Sequence, residues 1–162
     1  MKESTLQRKI EEVNSYVEKF NNAQSLVFVN PIGLTVEEVT KLRRNLYDKN
    51  CEMHVVKNNI LRRAVENAGY KGLDNIFVGP SAVVISKDAT SASKVVYDFA
   101  KENNKLAIKA GIVEGNVYDP KALKVIASLP DKNGMLAMLL SVLQAPIRNL
   151  AVAIKAVSEK QA

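Results

Sequence analysis

The sequence predicts an α/β (α+β) fold followed by an extended helical tail, and three observations carry that reading. Short apolar runs of strand length alternate with longer segments whose apolar residues recur every three or four positions. One apolar run is interrupted by Gly79–Pro80 and precedes a segment of helical period, as a strand feeding a crossover helix would be. Around Pro130–Gly134 charge thins out and aliphatics take over, which divides a domain of residues 1–130 from a tail of residues 131–162.

The elements follow in order. Ser4 and Gln7 have capping-box spacing, and Leu6, Ile10, Val13, Val17 and Phe20 form the stripe of a first helix. SLVFV (25–29) is a short apolar run before Pro31 and Gly33, hence a buried strand and a turn. Thr35 and Glu38 repeat the capping-box spacing, ahead of a helix with Val36, Val39, Leu42 and Leu46 inward. CEMHVV (51–56) is the next strand. KNNILRRAVENAG then turns helical, with Ile60, Leu61, Ala64, Val65 and Ala68 inward and Gly69 past its end. IFVGPSAVVIS reads as a strand bent at Gly79–Pro80. Residues 91–103 form a helix with Val95, Val96 and Phe99 inside, and LAIKAGIVEG (106–115) is the last clear strand. Asp119–Pro120 starts a helix that ends near Leu129–Pro130. This order suits a two-layer sandwich resembling a ferredoxin-like plait.

The chain has 162 residues and an ordinary globular balance of 47% hydrophobic and 25% charged side chains. Net charge is +6, and its location matters more than its size. From Lys41 to Arg63, seven bases stand against Asp48 and Glu52, so this stretch alone carries +5. Such concentration reads as the electrostatic footprint of a polyanion partner, the alternative being a solvated basic face. Cys51 is the one cysteine, which excludes an internal disulfide and favours a cytoplasmic setting. The charged N-terminus has no signal-peptide core. A membrane span needs about 20 consecutive apolar residues. Here Gln144, Pro146, Arg148 and Asn149 interrupt the tail, so no membrane partner is expected.

Catalysis has little to work with. His54 is the sole histidine, and its odd offset from Cys51 along a strand points the two side chains to opposite faces. A Cys/His nucleophile pair is therefore geometrically poor, and His54 suits a surface or RNA-facing strand position. No phosphate-loop pattern and no metal-ligand cluster is present, so no catalytic residue, metal or cofactor is expected.

Lys57-Asn58-Asn59 stands where a strand hands over to a helix, whose free N–H groups favour phosphate. Arg62 and Arg63 follow on the first turns, and Arg43 and Arg44 join from the preceding helix. Asn58 or Asn59 can equally cap the helix. Taken together these residues favour RNA, read through shape and backbone because no aromatic interleaves the bases.

The tail raises a separate question. Between Lys132 and Glu159 only Arg148 and Lys155 are charged. After Pro146, the residues Ile147, Leu150, Ala151, Ile154 and Val157 fall on one helical face, with Val152, Ala153 and Ala156 elsewhere. A helix folding back on its own domain needs about one apolar face, which suits Met135–Leu143 better than this later part. Burying a Leu, Ile or Val contributes roughly 1.5–3 kcal/mol. A partner covering the later part would thus gain on the order of 10 kcal/mol gross, before ordering costs. Pro146 predicts a kink or break near Ala145.

VVKNNILRRA, VGPSAVV, KAGIVEG, ASLP and LLSVLQAPIRNLAVAIKAV, in this order and spacing, resemble the bacterial ribosomal protein L10 family over nearly the whole chain. The resemblance implies an N-terminal domain bound to large-subunit ribosomal RNA beside the neighbouring ribosomal protein L11. It also implies a C-terminal helix carrying dimers of the acidic stalk protein L7/L12, which recruit translational GTPases. Family members can also repress their own operon. Lys57 and Asn58 match the family's Lys-Asn pair, whereas Asn59 stands where Thr is common. Gly134 replaces a usually helix-forming residue, which loosens the boundary. The stretch from Ile147 to Lys160 gives about four turns, the short form that implies two dimers. The competing readings are a free-standing RNA-binding module that homodimerises through its tail, and an enzyme using Cys51 or His54.

Overall fold

SLVFV opens strand β1 (Ser25–Asn30), and each of its five side chains is buried, so this strand has core on both sides. The computed structural model describes residues 3–70, 73, 76–103, 105–130 and 132–161, with the side chains of 3–6, 160 and 161 outside the description. The Ser4 cap and the Leu6 position of the first stripe fall among those side chains.

The chain divides into two units, Met1–Leu129 and Pro130–Ala162. In the first, α1 (Glu3–Asn21) leads into β1, α2 (Val36–Tyr47), β2 (Cys51–Val55), α3 (Asn58–Asn67), β3 (Ala82–Ser86) and α4 (Ser91–Glu102). Then come β4 (Ala107–Val113), β5 (Asn116–Tyr118) and α5 (Pro120–Ser128). The five strands form one sheet in the order β2-β3-β1-β4-β5, with each neighbouring pair antiparallel. Its first four members have the strand order of the plait anticipated from sequence.

Alternation along the strands separates two cores. Leu26, Phe28, Val83, Ile85, Ala110 and Ile112 face α1 and α3, against Val13, Phe20, Ile60, Leu61, Ala64 and Val65. Val27, Val29, Ala82 and Val84 face α2 and α4, against Leu42, Leu46, Val96 and Phe99. The expected two layers are therefore corrected to three. Strands apolar at every position cannot leave one face to water, so helices cover both.

Several local expectations are also corrected. Only the second half of IFVGPSAVVIS is strand, because Gly79 has φ +75° and Pro80 offers no N–H to a ladder. Val36 is 84% exposed, since as the first residue of α2 it precedes the stripe that reaches the sheet. Ile10 likewise lies exposed on α1. β5 is an addition: Glu114 and Gly115 both have positive φ, and this two-residue turn of primed type folds Asn116–Tyr118 back on β4.

The second unit holds α6 (Lys132–Gln161), one helix of 30 residues. Of the kink or break expected near Ala145, the break does not occur: the helix runs on through Pro146, although Pro146 has no N–H for the Val142 carbonyl. Gly134 is helical, and its lack of a Cβ has a use. A Cβ there would come within 2.8 Å of Pro130 Cβ. None of the described side chains of α6 is buried, including Leu139, Leu140 and Leu143.

Candidate nucleic-acid interface and partner helix

Helix α3 presents the basic site because its buried stripe fixes which residues turn outward. Ile60, Leu61, Ala64 and Val65 face the sheet, so Asn59, Arg62 and Arg63 share the opposite side at about 100° per residue. Lys57 is the N-cap residue and makes no side-chain cap hydrogen bond. The side chains of Lys57, Arg62 and Arg63 enter no ion pair among the described residues, and Arg62 Nε is buried without a partner. Arg63 also borders a groove against α1, with Lys9, Asn14 and Asn67.

Asn58 behaves differently from its neighbours. It does not cap α3. Its Nδ2 donates to the Phe77 carbonyl at 3.1 Å and to the Gly79 carbonyl at 2.7 Å. An open depression of about 490 Å³ results, lined by Lys57, Asn58 and Asn59 on one side and by Gly79, Pro80 and Ser81 on the other. Lys109 ties the same wall from β4, through Val78, Pro80 and Ser81. Desolvation holds its pKa below the ordinary lysine value. Sequence reasoning missed Lys109, although a lysine two residues before Gly111 inside an apolar strand was a signal of irregular pairing.

Arg43 and Arg44 are not part of this constellation. They are exposed on α2, which buries Leu42 and Leu46 against the other face of the sheet. The basic stretch, continuous in sequence, is thereby split between two faces.

Cys51 and His54 are separated as expected. Cys51 is buried with the α2 and α4 core, where desolvation raises its pKa. His54 lies on the α1 side, 2.9 Å from Glu52 Oε2 and in edge contact with Tyr16. No group of three or more metal-ligating side chains occurs among the described residues.

In the second unit, Ile147 (75% exposed), Leu150 (63%), Ile154 (64%) and Val157 (56%) are open to solvent, as is Ala151. Lys155 and Glu159 pair at 3.8 Å, one turn apart. By length and composition the helix could cross a membrane over Lys132–Glu159, so the polar interruptions at 144–149 do not exclude a span on those grounds.

Comparison with known families gives two matches. Residues 4–101 match the family described as ribosomal protein L10, and residues 129–162 match ribosomal protein uL10 C-terminal region. The first match alone covers more than half of the chain.

Proposed function

Because the chain belongs to the ribosomal protein L10 family, a structural and non-enzymatic family of the ribosomal stalk base, we propose that it is an RNA-anchored adaptor. Residues 1–130 bind large-subunit ribosomal RNA beside L11. Residues 131–162 carry dimers of the acidic stalk protein L7/L12 and so support recruitment of translational GTPases at the cytoplasmic ribosome. The assembly is not catalytic.

The observation that carries this reading is the pairing of two unlike surfaces on one chain. Among the described residues, Lys57 at the start of α3 and Arg62 and Arg63 on its outward side form no ion pair, so phosphates can neutralise them. Asn59 stands between them with its amide exposed. Meanwhile α6 exposes Ile147, Leu150, Ala151, Ile154 and Val157 on a face that water does not favour. An acidic partner with an apolar groove fits a helix whose described ion pair is confined to its last turns.

The RNA half is tested by replacing Arg62 and Arg63 with Glu. Each lost phosphate contact should lower the log–log salt slope by about 0.7–0.9 and weaken binding strongly. Arg43→Glu with Arg44→Glu, on the other face, should have the smaller effect. Unchanged affinity and slope in the folded α3 variant would remove that helix from the interface. For the tail, light scattering of the chain alone and with the stalk protein is decisive. A dimer of the chain that persists with the stalk protein present would favour the homodimerising module instead.

A further inference from the structure

Four consecutive carbonyls, from Phe77 to Pro80, sit in a loop that has left the sheet, and none is satisfied by a ladder partner. Asn58 Nδ2 takes those of Phe77 and Gly79. Lys109 Nζ takes those of Val78 at 2.8 Å and Pro80 at 3.0 Å, and reaches Ser81 Oγ at 2.8 Å. An amide nitrogen has two hydrogens and an ammonium has three, so all five donors are engaged. Neither side chain keeps an N–H for a phosphate.

The reach of Lys109 comes from a β-bulge. Phe28 pairs with Ala110 but Val29 pairs with Ile108, which leaves Lys109 as the extra residue on β4. The phase of the strand changes there: Ala110 and Ile112 face α1 and α3, while Ile108 packs with the opposite core. A lysine that regular pairing would commit to one face is thus redirected to the end of the sheet.

We propose that Lys109 and Asn58 are positioning residues for the RNA interface: they clamp Val78–Ser81 as the fixed wall of the depression at the start of α3 without touching RNA themselves. The proposal rests on the RNA reading above and reassigns Asn58 within it, from a contact to a support. The motifs VVKNN, VGPSAVV and KAGIVEG, far apart in sequence, meet at this clamp.

The test uses the full chain with deproteinised large-subunit ribosomal RNA, and the variants Lys109→Met, Lys109→Arg and Asn58→Ala. Each should bind at least tenfold more weakly with the salt slope unchanged, because no phosphate contact is lost. Lys109→Arg is the sharpest case. It keeps the charge, but a planar guanidinium cannot present three donors from one nitrogen. Wild-type affinity in Lys109→Arg, or a slope reduced by about 0.7–0.9 in Lys109→Met, would mean a direct phosphate contact and would overturn the proposal. The double variant Lys109→Met/Asn58→Ala should lose less than the sum of the two single losses, since both act through one loop. Carbonyl carbon-13 shifts of the chain without RNA separate the clamp from the functional reading. The Val78 and Pro80 carbonyl resonances should move in Lys109→Met relative to wild type, and unchanged shifts there overturn the clamp whether or not RNA binds. A wild-type chain that fails to bind the RNA would instead overturn the RNA reading.

Discussion

Single residues set the local conditions, and two of them yield predictions of different kinds. Glu38 Oε2 accepts from the Thr35 N–H at 2.6 Å while Thr35 Oγ1 accepts from the Glu38 N–H, which closes the capping box of α2. The Thr35 backbone bond is the main reason that the Glu38 pKa lies below its ordinary value. A carboxylate depressed in the fold contributes stability that is complete above its unfolded pKa, about 4.3, and is lost as pH falls through the folded value. Glu38→Gln should therefore lower the melting temperature at pH 7 and leave it unchanged near pH 2; parallel pH curves for the two proteins would refute the assignment. Gly111 makes a steric case. A Cβ there would meet Leu123 Cδ2 at 2.8 Å and the Leu26 carbonyl at 3.2 Å. Gly111→Ala should cost about 1–3 kcal/mol by overpacking, and adding Leu123→Val should return part of that loss in denaturant titrations. The capping box was legible in sequence because its chemistry is complete within four residues. The close approach of Leu123 was not, because it joins a strand to a helix that follows two elements later.

At the scale of elements, local pattern gave the helices well and the strands less completely. The stripe of α3 is buried as read at Ile60, Leu61, Ala64 and Val65, while Ala68, the C-cap residue, packs half-buried against the same core. β5 was missed because three residues are too few to show alternation, and it exists only through the turn at Glu114–Gly115. The bulge at Lys109 was hidden for a related reason: it is defined by the register against β1 and not by β4 alone. Helix α6 continues through Pro146, where the sequence predicted a kink or break, so the chain is not interrupted there. An interior proline costs roughly 3 kcal/mol, but strong helix formers such as Leu139, Leu140, Leu143 and Ala145 precede it. The exposed apolar residues fall into two stretches either side of Gln144–Pro146, Leu136–Leu143 and Ile147–Val157. If each seats one partner dimer, Leu150→Asp with Ile154→Asp should abolish the distal site and keep the proximal one. A charge buried in an apolar groove without a counter-ion is costly enough to do this. Isothermal titration would then show half the wild-type stoichiometry; full stoichiometry at wild-type affinity would remove this face from the interface.

For the whole molecule, core and charge are unevenly distributed along the chain. Every residue of the two buried clusters precedes Pro130. The tail beyond it has four bases and two acids, so residues 1–130 keep +4 of the net +6. A chain ending at Pro130 should accordingly fold, by circular dichroism, and bind ribosomal RNA within about twofold of the full chain while binding no stalk protein. An unfolded product would mean that the tail contributes to the core. On the proposed function, the exposed tail also sets an expected copy number for the stalk protein. Two exposed apolar stretches on one helix, each about two to three turns long, leave room for one dimer apiece. Native mass spectrometry of the reconstituted complex should show four copies of the stalk protein per chain. Ending the chain at Ala145 should reduce this to two, because Leu136–Leu143 remains. Six copies would show that the helix seats a third dimer. No copies on the shortened chain would place both dimers beyond Pro146, within about four turns, and none on the full chain would end the adaptor reading.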